Sequence, residues 1–350
     1  MDEICGPLFE WYDKHKRNLP WRDTRVPYYI WISEVILQQT RVAQGYDYFV
    51  RFIEHFPTVE ELAAAPEDEV MRLWQGLGYY SRARNLHAAA KQVVALGEFP
   101  CTYEGIRELK GVGDYTAAAI ASFAFDVPKA AVDGNVCRVW ARLFGIDVPI
   151  DTARGKQQIT EVAQALMPVE YAAKYNQAVM EFGALQCTPQ SPRCDECPLA
   201  HKCVALATGR VGELPMKSHK TKVVPRYMSY LYIHNGRELL LHKRTANDIW
   251  LNLYELPLIE TPSPIGPEDI FRVPDFMAWH AMLPDALYEG ATGTVKHVLS
   301  HRVLHTIFYE LVVSGPLPCP EGFVVAPFVE LEHYALPRLI EKYLEEKIGR

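Results

Sequence analysis

Apolar residues recur at helical spacing through the first two hundred positions, and then the period changes. Stretches 29–42 (YIWISEVILQQTRV), 69–73, 82–96, 115–123, 136–144 and 175–185 have the length and spacing that predict helices. Alanine-rich runs such as RNLHAAAKQVVAL strengthen that expectation. Turn signals separate them at Pro57, Pro66, Gly76–Gly78, Pro100, Gly111–Gly113, Pro128 and Pro149. No strand ladder is evident there, so 1–205 is expected to be an all-helical domain. The following segment, 206–226, is basic and aperiodic and contains two prolines, as a linker would. Beyond it YMSYLYI, an Asn235-Gly236 turn and ELLLHKR form a strong hairpin signal. With WLNLYELPLIE, VKHVLSHRVLHTIFYELVV and a last helix near 337–347, residues 227–350 predict a compact α+β domain.

Composition narrows the class without naming a function. The chain has 350 residues, 49% hydrophobic and 23% charged, which excludes a disordered chain, a collagen-like repeat or a coiled-coil rod. No run approaches the ~18 consecutive apolar residues of a membrane span. The start, MDEICGPLFEWYDKHKR, shows no basic leader followed by an apolar stretch, so a soluble, cytoplasmic protein is expected. The net charge is −7, distributed as −5 over 1–205, +4 over 206–226 and −6 over 227–350. Any polyanion would therefore be met by particular surfaces and not by the whole field.

Four of the eight cysteines fall within seventeen residues, Cys187, Cys194, Cys197 and Cys203, spaced C-x6-C-x2-C-x5-C. In a reducing compartment such a cluster favours metal ligation over disulfides. The spacing leaves both an iron–sulfur cluster and zinc open, with the former slightly ahead. The first loop between these cysteines carries Pro189, Pro192 and Arg193, and so a positive charge near its tip.

Three further features suggest chemistry. In LKGVGDYTAAAI, Gly111 and Gly113 allow close backbone approach, and the following helix start offers N–H groups to an anion such as a DNA phosphate. Glu34 sits in WISEVILQQ among apolar neighbours, which should raise its pKa and suit it to acid or base catalysis. Asp133, in AAVDGNVCRVW, precedes a helix and should cap it. The helix dipole would there favour the anion, predicting a lowered pKa and a carboxylate able to oppose positive charge. Each feature alone has a plainer structural explanation: a helix corner, an exposed glutamate, a simple cap.

Together these features resemble the adenine DNA glycosylases of the MutY type, within the helix-hairpin-helix glycosylases that include endonuclease III. The matching segments are LPWR at 19–22, SEVILQQTRV at 33–42, GLGYYSRARNLHAAA at 76–90, LKGVGDYTAAAI at 109–120, VDGNVCRV at 132–139 and the four cysteines. The resemblance implies that the cysteines hold a [4Fe-4S] cluster and that the hairpin grips DNA. It implies an extruded adenine, since an enzyme acting on a base must take it out of the stack. Glu34 matches the acid that protonates adenine N7. Asp133 matches the carboxylate that stabilises the oxocarbenium-like sugar through transient covalent bonding, with Tyr115 and Asn135 hydrogen-bonding nearby. Trp21, Arg22, Leu37 and Gln177 match the adenine pocket; Gln39 and Tyr79 match side chains wedged into the DNA stack; Thr40 and Leu77 match further DNA contacts. Relatives that also cut the strand carry a lysine where this chain has Tyr115, so a monofunctional enzyme is expected.

The second domain resembles the MutT-like (Nudix-like) domain of that family, without the glycine and glutamate-rich helix of nucleotide pyrophosphatases. The family's Phe-Ser-His motif, which reads 8-oxoguanine, appears as Leu299-Ser300-His301, lacking the aromatic ring. The expected partner is double-stranded DNA bearing A:8-oxoguanine or A:G mispairs, met by a monomer with no membrane contact. The rival expectations are a bifunctional endonuclease III-like enzyme, a non-catalytic iron–sulfur DNA-binding protein, and a nucleotide hydrolase acting through the second domain.

Overall fold

The computed structural model describes residues 3–218 and 223–349; positions 219–222 of the expected linker lie outside them. The chain divides into two compact units, one of 1–64 and 85–220, the other of 65–84 and 221–350. This departs from the expected division at 205 and 227 in two places. Residues 65–84 bond within the second unit: Gln75 Nε2 donates to Glu341 Oε1 at 2.6 Å, and the Leu336 N–H donates to Gln75 Oε1 at 3.2 Å. Residues 206–218 belong to the first: Ile150 N–H donates to Met216 O at 3.0 Å, and the Ser218 N–H donates to Asp151 Oδ1 at 2.8 Å.

The first unit is helical, with no strand among its described residues. Its core is built on helices Cys5–His15, Gly134–Phe144, Ala153–Leu166 and Ala172–Leu185 around Leu8, Trp140, Tyr175 and Phe182. Helix starts follow local chemistry. Pro27 opens Pro27–Leu37, and the Thr102, Asp133 and Thr152 side chains accept from the N–H groups of Gly105, Val136 and Gly155. The single helix expected over 29–42 is two: Pro27–Leu37 ends, Gln39 takes φ 57°, and Val42–His55 begins after that break. Apolar periodicity runs across the junction and conceals it.

The second unit holds a mixed sheet of β1 (Val224–His234), β2 (Glu238–Lys243), β3 (Tyr254–Glu255), β4 (Leu258–Thr261), β5 (Leu287–Ala291), β6 (Val295–Val298), β7 (Arg302–Val312) and β8 (Phe323–Pro327). β1 and β7 pair in parallel from Val224↔Arg302 to His234↔Val312, and β1 and β2 form the expected antiparallel hairpin, with Gly236 at φ 82°. Met228, Tyr230 and Tyr232 pack with helix Arg338–Ile348, while Leu231 and Ile233 face Ile270 and Phe276. Both faces of β1 are covered, so YMSYLYI reads as continuously apolar and not alternating.

Candidate active site

A cleft of about 1550 Å³ opens in the first unit and gathers most of the residues singled out from the sequence. Trp21, Arg22, Glu34, Leu37, Gln39, Thr40, Tyr115, Asp133, Asn135 and Gln177 line it. The two carboxylates, 99 positions apart in the chain, meet here through two intervening helices: Pro27–Leu37 lies against Asp114–Phe125, that helix lies against Ala172–Leu185, and Gly134–Phe144 packs on Ala172–Leu185. The last approach is close, since a Cβ on Gly183 would lie 2.6 Å from Asn135 Cβ.

Glu34 is buried, 9% exposed, and Tyr115 Oη donates to its Oε2 at 2.7 Å. Burial pushes the carboxyl up to about 7, with nearby Asp133 adding to the rise and the Tyr115 bond and Arg22 opposing it. Tyr115 thus engages Oε2 of this carboxyl. Asp133 caps Gly134–Phe144 as expected: Oδ1 accepts from Val136 N–H at 2.8 Å and Oδ2 from Asn135 Nδ2 at 2.7 Å. Its pKa, however, is raised, not lowered as the capping position suggested. Removal from water outweighs the two hydrogen bonds and the Arg138 charge, which all pull the other way.

Several residues of the cleft carried no sequence signal of their own. Gln38 Nε2 donates to Thr116 Oγ1 at 3.1 Å, and Tyr12 Oη donates to Gln177 Oε1 at 2.6 Å, turning the Gln177 amide N–H groups away from the tyrosine. Glu181 pairs with Arg17 and Arg22 at 2.6 and 2.7 Å. Its place four positions after Gln177 on one helix, hence on the same face, is the signal that could have found it. Arg138 Nη2 donates to Asn135 Oδ1 at 2.8 Å, while its Nε donates to Cys187 O at 2.7 Å.

The hairpin lies outside this cleft lining. It is a turn between Tyr103–Arg107 and Asp114–Phe125, with Gly111 at φ 76° and its Cα facing Asn85, where a Cβ would come within 2.5 Å of Asn85 Cβ. Gly113 is the N-cap of the second helix, and a Cβ there meets open space.

Leu77, Tyr79, Ser300 and His301 belong to the second unit. Leu77 is buried; Tyr79 is exposed at φ 48°, and its hydroxyl hydrogen-bonds Ser300 Oγ. Ser300 and His301 form the exposed tip between β6 and β7, closed by the Leu299 N–H donating to Arg302 O at 2.8 Å. Leu299 packs on the core formed with helix Arg338–Ile348, so it anchors the tip from beneath. Gln39 and Tyr79, the two residues matched to DNA wedges, both adopt the left-handed backbone, as do Asp126, Ser191, Trp250 and Asn252.

Cys187, Cys194, Cys197 and Cys203 line one small cavity together with Arg142 and Gln186. Among the described residues no three His, Cys, Asp or Glu side chains are grouped to hold a single metal ion. Four thiols spread around a shared cavity suit a multi-iron cluster, in which each iron takes one, whereas zinc needs every sulfur about 2.3 Å from one point. The buried Arg142 braces the loop, with Nη1 donating to Thr188 O at 2.7 Å and Nη2 to Pro189 O at 3.1 Å.

Comparison with known proteins agrees with this geometry. Residues 32–168 match the HhH-GPD superfamily base excision DNA repair proteins, 187–203 the iron-sulfur binding domain of endonuclease III, and 229–346 a NUDIX domain. The iron-sulfur match begins at Cys187 and ends at Cys203, so the four-cysteine loop is the part of the chain that belongs to a [4Fe-4S] cluster domain. The adenine DNA glycosylase of Homo sapiens is 44% identical, covering 89% of this chain and 67% of the human protein. That of Schizosaccharomyces pombe is 38% identical over 97% and 88%, and that of Rattus norvegicus 32% over 98% and 78%. Among solved structures, a thermostable thymine-DNA glycosylase superposes with a TM-score of 0.54 at 28% identity, covering 58% of this chain and 94% of that one. An endonuclease III in a non-covalent DNA complex gives 0.51 at 27%, covering 60% and 98%. A helical unit with an acid-lined cleft and a four-cysteine loop, followed by a Nudix-fold unit, thus makes this chain a member of the adenine DNA glycosylase family of base excision repair enzymes.

Proposed function

We propose that the enzyme extrudes adenine mispaired with 8-oxoguanine or guanine and hydrolyses its N-glycosidic bond without cutting the strand. The observation that carries this reading is the meeting of Glu34 and Asp133 in one cleft, with Glu34 titrating near neutrality. Glu34, while protonated, gives its proton to adenine N7 and makes the base a leaving group. Such general acid catalysis contributes ~10²–10⁴-fold. Asp133 opposes the positive charge that develops on the sugar, held in place by the Val136 N–H and the Asn135 amide. An approaching sugar cation favours the ionised form of Asp133, offsetting the rise that burial imposes on it. Water then takes the sugar carbon, and the proton it loses returns to a carboxylate.

Three further features support the finer points. Tyr115 holds a phenol where a strand-cleaving relative would place an amine, and a phenol forms no Schiff base. Ser300 and His301 stand exposed at a hairpin tip where an opposite base can reach them, with the Ser300 Oγ bonded to the Tyr79 hydroxyl. The helical residues between β4 and β5 in the Nudix-fold unit carry Glu268, Asp269 and Asp275, split between Pro267–Arg272 and Pro274–Met282, and form no glutamate-rich helix of the kind metal-dependent nucleotide hydrolysis uses. Cys187, Cys194, Cys197 and Cys203 would hold the cluster, which when bound would cross-link residues 187–203.

The test is single-turnover adenine release from A:8-oxoguanine, A:G and A:T duplexes. Glu34→Gln and Asp133→Asn should lose activity by at least ~10²-fold, and Ser300→Ala should blur the choice of opposite base. Borohydride should trap no covalent complex above background. Activity surviving in Glu34→Gln contradicts the acid assignment; efficient trapping favours an endonuclease III-like bifunctional enzyme.

A further inference from the structure

Glu181 takes no part in the chemistry above, yet five donors converge on it. Its Oε1 accepts from Arg17 N–H and Nε, both at 2.9 Å, and from Arg22 Nη1 at 3.0 Å. Its Oε2 accepts from Arg17 Nη2 at 2.6 Å and Arg22 Nη2 at 2.7 Å. The side chain is 1% exposed. Burial alone would raise this carboxyl, but the two guanidinium groups hold it at about 2, so it is a fixed anion at every working pH. Arg22 gives a further bond from Nη1 to Arg17 O at 3.1 Å and lines the same cleft as Glu34.

The charged and titratable groups that face Glu34 are Tyr115, Asp133 and Arg22, and Arg22 is the one cation among them. Those that face Glu181 are Arg17, Arg22 and Tyr12. A guanidinium free to swing in the cleft would find the other buried carboxylate and pair with it bidentately, since fork-to-fork pairing is the strongest contact open to it. An ionised, arginine-paired Glu34 has no proton for a purine. We propose that Glu181 is a positioning residue that clamps Arg22 from behind, keeping that cation from pairing with Glu34 so that the acid retains its proton. This inference rests on Glu34 being the acid.

The test is a titration of the cluster-loaded, DNA-free protein with ¹³C-labelled glutamate carboxyls, the Glu34 signal being assigned by its loss in Glu34→Gln. In the parent it should titrate near 7. In Glu181→Gln it should fall by about one pH unit, as an opposite charge a few ångströms away requires. In Arg22→Gln it should move the other way. Adenine release in Glu181→Gln should then drop roughly tenfold at pH 8 and change little at pH 5.5, because the protonated fraction of the acid shrinks only on the alkaline side. Should Glu181→Gln fail to fold, Glu181→Asp, with a shorter reach, should show the same sign at smaller size. An unchanged Glu34 titration in a folded variant, or the same sign of shift in Glu181→Gln and Arg22→Gln, overturns the proposal and leaves Glu181 a brace for residues 17–22. A Glu34 titration that moves while the pH profile of release does not would instead sink the acid assignment and leave the clamp standing.

Discussion

Glu34 stores a cost, which the proposed mechanism would put to use. A carboxyl raised from 4.5 to about 7 by burial is tolerated when neutral and penalised when charged. The sign follows: the parent's stability is fully present below pH 4.5, and it is lost progressively as the pH climbs through 7. At about 1.4 kcal/mol per pH unit of displacement, the loss is at most about 3.5 kcal/mol. Glu34→Gln escapes it, so its melting temperature should gain on the parent's between pH 4.5 and 8 and lead by several degrees at the upper end. Thermal melts at four or five pH values check this, and a constant gap across them would contradict the burial argument. In the parent, single-turnover release should decline above about pH 7, nearly tenfold per unit once Glu34 is mostly ionised. Asp133 teaches the complementary lesson: hydrogen bonds at a helix start do not guarantee a lowered pKa once the side chain leaves water.

At the scale of elements, two glycines two positions apart make opposite demands. Gly111 needs a left-handed backbone and has Asn85 against it, so Gly111→Ala should destabilise the protein by about 1–3 kcal/mol. Gly113 has an ordinary φ of −95° and open space where a Cβ would go. Gly113→Ala should leave the melting temperature within a degree or two of the parent's. It should nonetheless weaken DNA affinity, because a methyl there would intrude on a phosphate drawn to the helix start. Denaturant melts paired with fluorescence-anisotropy binding separate the two effects. Equal destabilisation by both substitutions would rule out the steric account. The break at Gln38–Arg41 belongs to this scale as well. A helix running on to Val42 would carry Gln39 and Thr40 on its surface; the left-handed Gln39 instead turns the strand of residues after Leu37 along the cleft wall.

For the whole molecule, the cleft is complete in the first unit, while residues 65–84 are bonded into the second. A chain cut to 1–226 should still remove adenine from A:G duplexes and lose much of its preference for 8-oxoguanine. It should also be cut quickly by chymotrypsin near Trp74, Tyr79 and Tyr80. Tyr80 Oη and Gln75 make their bonds to Leu336 and Glu341, residues that the truncation removes. Limited proteolysis of both proteins decides the matter: equal protection of 65–84 would mean that this segment folds without its C-terminal partners. Among the described residues no helix is long and apolar enough to cross a membrane.

Much of this was written in the residues themselves. Apolar spacing marked the helices, Asn235-Gly236 marked the hairpin, and four clustered cysteines marked a metal site, because each is a short-range property of neighbouring side chains. That Glu34 is a perturbed carboxyl was also legible, since apolar neighbours all round it mark a helix buried on every side, although its burial itself comes from packing against distant residues such as Tyr115. What the chain could not reveal from local pattern arose from groups distant in sequence sharing one space. Packing of helices brought Asp133 and Glu34 into the same cleft, and loss of water there raised an aspartate that its cap would have lowered. Packing also set Glu181 behind Arg22 and bonded 65–84 into the second unit. Desolvation and long-range pairing depend on the three-dimensional arrangement of the whole chain, and those quantities only the tertiary structure decides.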